Sequence, residues 1–171
     1  MQHVRLIQGD ITQAKVDAIL NAANPGMLGG GGVDGAIHRA AGPALLDACR
    51  RIDPVGGVRC PIGKARITSA GELSARHVIH TVGPRYEIDP EPEALLASAY
   101  RCSFQLAIEN RCRHIAAPAI SCGVYGYPLQ PAADIAFRVC GETAFLDVQI
   151  DFYLFSAEIL DVWQRRLDAV G

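Results

Sequence analysis

The segment Asn21–Gly42, NAANPGMLGGGGVDGAIHRAAG, concentrates most of the unusual choices in this chain. Asparagines stand at Asn21 and Asn24, four consecutive glycines run from Gly29 to Gly32, and Asp34 follows where a helical spacing begins. Val33, Ile37, Ala40 and Ala41 then fall on one helix face. Four glycines in a row raise the entropy lost on folding and add nothing to a core, so a folded chain keeps them ordered only for a reason. A flexible surface linker is the simplest alternative, but the run is short and closely flanked by patterned apolar sequence. What the glycines supply is bare backbone that a ligand can approach closely, leading into the free N–H groups and positive dipole end of a helix.

The flanking sequence interleaves strands and helices. Val4–Ile7 and Val16–Leu20 read as strands that deliver Asp10 with Ile11, and Asn21, to their carboxyl ends, where ligands bind in open α/β sheets. After the helix, Gly42-Pro43 marks a break and Pro43 opens a second helix, ALLDACRRI. A loop at Val55–Gly63 lacks linker composition, and strands are expected at Ala65–Ser69 and His77–Val82. Leu96, Tyr100, Phe104 and Ile108 recur every four residues, an apolar helix stripe suited to covering a sheet. Ile115–Ile120 reads as a small-residue strand running into a second informative loop, Ser121-Cys122-Gly123-Val124-Tyr125-Gly126-Tyr127-Pro128. A helix marked by Ile135, Ala136, Val139 and Cys140 follows, then a strand at Gln149–Phe155 and a helix striped by Ile159, Trp163, Leu167 and Val170. The whole, residues 1–171, reads as one domain, long enough for a substantial core.

Composition narrows the function classes. Half of the residues are hydrophobic and a fifth charged, with a net charge of -2, which gives no footprint for general nucleic-acid binding. An anionic partner must then be held locally, as a small ligand. No stretch approaches the roughly 20 apolar residues of a membrane span, and MQHVRLIQGD lacks a basic segment followed by an apolar run, so a cytoplasmic protein is expected. The six cysteines, Cys49, Cys60, Cys102, Cys112, Cys122 and Cys140, read as reduced small hydrophobes. No CxxC pair occurs, and His77 and His80 lie in a strand-like run where i and i+3 face opposite sides, so neither a metal nor another cofactor is expected.

Gly30–Gly35 literally matches the GxGxxG dinucleotide fingerprint, but the match is weak. About eight residues separate the glycines from the preceding strand, and RRIDPVGG lies where the second strand's acidic residue should be. No GxxxxGK[ST] and no GxSxG occurs. Two glycine-containing loops, each at a strand end before a helix, can clamp a diphosphate from both sides. Asp10 can accept from an exocyclic amine such as that of adenine, or simply cap a turn, and Phe155 can stack on a base. Cys122 lacks an identifiable partner base, which favours a structural role. Tyr125 reads as pocket wall and Tyr127 as loop packing.

Taken together, QGDIT at Gln8–Thr12, NAANPGMLGGGGVDGAIHRAAGP at Asn21–Pro43, CPIGKARIT at Cys60–Thr68, VIHTVGP at Val78–Pro84 and PAISCGVYGYP at Pro118–Pro128 resemble the macrodomains, specifically the MacroD-type ADP-ribosyl hydrolases that include bacterial O-acetyl-ADP-ribose deacetylases. The resemblance implies a three-layer α/β/α fold on a central mixed, mostly parallel sheet, with a cleft for ADP-ribose. It implies that Asp10 binds the adenine amino group, that Ile11 contributes backbone and that Phe155 packs on the ring. Ser121, Cys122, Gly123, Val124 and Tyr125 would wrap the diphosphate, while Asn21, Gly30, Gly31, Gly32 and Val33 line the distal ribose. Asn24 would orient that ribose and Asp34 would help activate a water to cleave an ester there, with Asp34 or a substrate phosphate taking the proton. The substrates implied are acetylated ADP-ribose and ADP-ribosylated proteins; a module that only reads ADP-ribose would use the same cleft. The chain departs from the family pattern at Cys122, often Thr, at Tyr86-Glu87-Ile88, often Trp-containing, and at Ser156, often acidic.

Overall fold

The computed structural model describes residues 1–171. Six strands form one sheet: β1 (Val4–Gln8), β2 (Ala18–Ala22), β3 (Ala65–Ser69), β4 (His77–Thr81), β5 (His114–Ala117) and β6 (Gln149–Leu154). Their order is β1-β6-β5-β2-β4-β3, and every neighbouring pair is parallel except β3 with β4. Five helices connect them: α1 (Gly32–Ala41), α2 (Pro43–Arg50), α3 (Pro92–Glu109), α4 (Leu129–Cys140) and α5 (Ala157–Val170). No helix is long and apolar enough to cross a membrane.

Alternation along the central strands sorts the core into two layers. On one face Ile19, Val78 and Ala116 pack with Ile37 and Leu45 from α1 and α2. On the other, Leu20, Ile79, Ile115 and Phe152 pack with Tyr100 and Phe104 of α3, Phe137 of α4 and Trp163 of α5. The expected three-layer α/β/α fold and mostly parallel sheet are what the chain forms.

The bounds of two strands and the reach of one helix stripe differ most from those the sequence pattern suggests. β2 begins at Ala18 and continues through Ala22, so Asn21 lies inside the strand instead of beyond it. The earlier part of the run, from Val16, is anchored by turn contacts, with the Val16 amide donating to Ser74 O and Asp17 holding the Arg113 and His114 amides. β5 stops at Ala117 because Pro118 has no N–H to continue a ladder. The stripe of α5 is buried only at Ile159 and Trp163, and Val170 is exposed on the last turn.

Candidate functional site

β2 places Asn21 on the face covered by α1, and its side chain is fully buried there. The chain then turns through Asn24–Gly31 before entering α1. Asn24 fastens this turn from inside: its Oδ1 accepts from the Met27 amide at 3.1 Å and its Nδ2 donates to Gly29 O at 3.1 Å. Met27, buried and left-handed at φ 62°, is held in that conformation. From outside, the Arg59 guanidinium donates to Gly26 O and Ile52 O, tying the glycine segment to the neighbouring hairpin.

Asp34 sits in the first turn of α1 and is only 4% exposed. Its Oδ1 accepts from Asn21 Nδ2 at 2.8 Å, and His38 Nε2 lies 3.5 Å from the same oxygen without forming a hydrogen bond. Its Oδ2 faces the glycine run. A methyl group built on Gly30 would stand 3.1 Å from Asp34 Oδ2 and 3.3 Å from Asn24 Nδ2, so a carboxylate oxygen and an amide nitrogen come together on one face of Gly30. Burial pushes the Asp34 carboxyl above the usual carboxylate range, opposed in part by the Asn21 hydrogen bond and by His38.

Behind Asn21 lies a polar chain that the sequence did not signal. Asn21 and His80 are register partners on β2 and β4, and Asn21 Nδ2 approaches His80 Nδ1 at 3.2 Å. His80 Nε2 stands 2.9 Å from Thr68 Oγ1 on β3, which in turn donates to Ser69 O. Burial, with His38 nearby, pulls the His80 pKa down from 6.5 to about 3, so the imidazole is neutral in the fold. A folded pKa below the unfolded one means the unfolded chain takes up the proton first. The stability tied to neutral His80 is therefore complete above pH 6.5 and drains as pH falls towards 3. Urea denaturation between about pH 6.5 and 4.5 is expected to show wild type losing up to about 1.4 kcal/mol per pH unit more than His80→Asn. Parallel pH slopes would contradict a buried neutral imidazole.

The second loop follows β5. Ser121 adopts a left-handed backbone, φ 65°, and its Oγ donates to Pro84 O at 2.7 Å. The turn closes through Tyr127 N to Ser121 O and Gly126 N to Gly123 O, and Tyr86 N donates to Tyr125 O. Gly123 has no internal neighbour where a side chain would stand, and Val124 is fully exposed, so this backbone faces outward. Cys122 is half-buried with its thiol pushed up to about 12, which leaves it a protonated packing group and no nucleophile. Tyr127 is buried, its ring 4.8 Å from Tyr86, in keeping with packing.

At the sheet edge, Gly9 N donates to Leu154 O, bringing the end of β1 beside the end of β6. Asp10 accepts from the Thr12 amide and hydroxyl through Oδ1, capping a short turn; its other oxygen makes no hydrogen bond within the chain. Capping and ligand contact are thus compatible. Phe155 is 73% exposed beside it. Ile11 is buried in the core, so only its backbone is offered outward, while Val33 is half-buried. Ser156 caps α5 through Oγ to the Ile159 amide, a role open to Ser as to an acidic residue.

The strand order sets these groups in a row. The ends of β1 and β6 carry Asp10 and Phe155, the end of β5 carries Ser121–Tyr125, and β2 carries Asn21 and the loop to Asp34. Three strand spacings, about 14 Å, separate the ends of this row. It suits an elongated ligand with a base at one end, an anionic middle and a polar reacting group at the other. A surface cavity lined by Tyr86, Glu93, Tyr127, Asp134 and Arg138 includes none of the residues of this row.

His38 and Thr68 join the site without having been singled out from the sequence, where His80 is weighed only as a metal ligand. The spacing of His38 four residues after Asp34 on a helix would have revealed the first. The others required the pairing of β2 with β4.

The description Macro domain matches residues 20–136. A macro domain-containing protein of Vibrio parahaemolyticus is 59% identical over 98% of each chain. An O-acetyl-ADP-ribose deacetylase of Salmonella gallinarum is 52% identical over 98% of this chain and 96% of its own. Among solved structures, an Oceanobacillus iheyensis macrodomain with ADP superposes with a TM-score of 0.90 at 41% identity, covering 96% of this chain and 90% of that one. The chain belongs to the Macro domain family.

Proposed function

We propose that this chain is an ADP-ribose-binding hydrolase that cleaves ester linkages at the distal ribose. Its substrates are O-acetyl-ADP-ribose and mono-ADP-ribose attached to acidic protein side chains. The observation that carries the reading is the meeting of Asp34 Oδ2 and Asn24 Nδ2 on one face of Gly30, at the end of the row away from Asp10 and Phe155. A water or ribose hydroxyl bridging Asp34 Oδ2 and Asn24 Nδ2 beside Gly30 would donate to the carboxylate and accept from the amide, the arrangement needed to orient a nucleophile. The Ser121–Tyr125 backbone in the middle of the row suits the diphosphate, and relatives named as O-acetyl-ADP-ribose deacetylases lend the acetyl ester as a substrate.

In this reading, Asp34 removes a proton from the water as it attacks the ester carbonyl. The acyl–oxygen bond breaks, releasing the carboxylic acid and free ADP-ribose, and the ribose oxygen regains a proton. The burial that raises the Asp34 pKa also makes it a stronger base than an exposed aspartate, closer to what a general base needs near neutral pH. The protein should be incubated with O-acetyl-ADP-ribose and, separately, with an aspartate- or glutamate-ADP-ribosylated protein, while released acetate and ADP-ribose are measured. Turnover of both is expected. Tight ADP-ribose binding with turnover of neither would make the chain a reader of ADP-ribose.

A further inference from the structure

The chain Thr68–His80–Asn21–Asp34 is a line of buried polar groups running from the reacting edge into the sheet. Buried polar residues on adjacent strands carry a desolvation cost unless hydrogen-bonded, and these four are joined across three strands and a helix. We propose that His80 and Thr68 are positioning residues for ester hydrolysis, acting through Asn21 to keep an amide N–H aimed at Asp34. The inference rests on the hydrolase reading above and assigns roles to residues that do not touch substrate.

The donor inventory fixes the direction of the chain. Both Asn21 Nδ2 hydrogens have takers, Asp34 Oδ1 at 2.8 Å and His80 Nδ1 at 3.2 Å. His80 Nδ1 must then be the bare, accepting nitrogen, which puts the imidazole proton on Nε2. Thr68 Oγ1 spends its own hydrogen on Ser69 O and is free to accept that proton. Asn21 Oδ1 is left buried without a partner. An orphaned acceptor is costly, so the amide keeps this orientation because both neighbours demand N–H. Turning it over would place oxygen against a carboxylate and against a bare nitrogen.

The other titratable and charged groups around Asp34 are few. His38 comes from its own helix, and Cys49 from α2 contacts the His80 ring at 3.7 Å with Arg59 beyond it. The Cys49 thiol is pushed up to about 11, so it brings no charge at neutral pH. The Asn21 N–H is thus the main group favouring ionised Asp34 besides His38. If Asn21 loses its fixed orientation, Asp34 should become harder to ionise and less well placed, while the adenine and diphosphate contacts stay intact.

The test compares His80→Gln, which removes the acceptor at the Nδ1 position, with His80→Asn, whose Oδ1 restores it. Thr68→Val is compared in the same way with Thr68→Ser. His80→Gln and Thr68→Val are expected to lower kcat about tenfold at neutral pH, with KM within about twofold and the acid limb of the kcat profile moved to higher pH. The Asn and Ser variants should recover most of kcat and the original limb. Unchanged profiles, or conservative variants as impaired as the others, would overturn the proposal. Should the His80 variants fail to fold, the Thr68 pair decides alone. Titrating the Asp34 carboxyl by 13C NMR in ligand-free protein makes the outcome independent of turnover. A higher pKa in Thr68→Val than in wild type and Thr68→Ser supports the positioning role, and equal values sink it. Absence of wild-type turnover would instead refute the hydrolase reading.

Discussion

Replacing Asp34 by Asn is expected to lower kcat for either ester by about 10²- to 10⁴-fold while leaving ADP-ribose affinity within about threefold. The two effects separate because Asp34 stands at one end of the row, while in the proposed reading Asp10, Phe155 and the Ser121 loop, at the ends of other strands, hold the remainder of the ligand. Asn keeps an oxygen for the Asn21 N–H, so the network behind the site survives, but it cannot take a proton from water. Stability should move the opposite way. Burial raises the Asp34 pKa above its unfolded value, so its ionised form costs stability at neutral pH, and that cost disappears as pH falls below the unfolded carboxylate pKa. Asp34→Asn is therefore expected to melt higher than wild type at pH 8, with the gap narrowing on acidification. Isothermal titration with ADP-ribose, initial-rate kinetics and thermal melts at pH 8 and 5 check all three. A variant that retains full turnover would remove Asp34 from the mechanism.

Much of this arrangement is readable in the chain because the informative signals are local. Asn24 and Asp34 are ten positions apart and joined by glycines, so a short turn brings them together whatever the rest of the fold does. The alternation of apolar runs with helical stripes likewise reports the layers, because strand and helix periods differ. Asp10 and Phe155 are far apart in the chain, and the family resemblance pointed to both as adenine contacts. Any joint role depends on β1 lying beside β6, and those two strands are paired.

What was hidden is non-local. His80 in VIHTV reads as a polar residue in an apolar strand, and its register with Asn21, 59 residues away, is set by strand order and not by either segment's own pattern. The same holds for Gly83. A side chain there would overlap Ser121 Oγ and Ile120, so this glycine is what lets the left-handed Ser121 rest against the end of β4 and bond Pro84 O. In the sequence it stands only as the glycine of the VIHTVGP segment. The Asn24 side chain also proved to have two occupations, since it braces the turn as well as standing with Asp34 Oδ2 beside Gly30.

Gly35→Ala is expected to destabilise the fold by about 1–3 kcal/mol and to remove most turnover, although alanine is the better helix former. Gly35 lies in the first turn of α1, where exchanging Gly for Ala elsewhere in a helix would add up to about 1 kcal/mol of stability. Here a Cβ would stand 2.5 Å from the Gly30 carbonyl oxygen and 3.1 Å from Arg39 Nη1. The arginine can swing away, but the carbonyl belongs to backbone that directly follows the Gly29 carbonyl held by Asn24. The strain must move Gly30, and Gly30 is the floor beneath Asp34 Oδ2 and Asn24 Nδ2. Gly31→Ala is the matched control: it has extended backbone and nothing within 4 Å of an added Cβ, so its stability should stay within about 0.5 kcal/mol of wild type. Any defect of Gly31→Ala should then appear only with ligand present. Chemical denaturation and kinetics on the pair distinguish a glycine needed for packing from one needed for the ligand, and a Gly35→Ala protein as stable and active as wild type would show that the glycine run does not have to lie against α1.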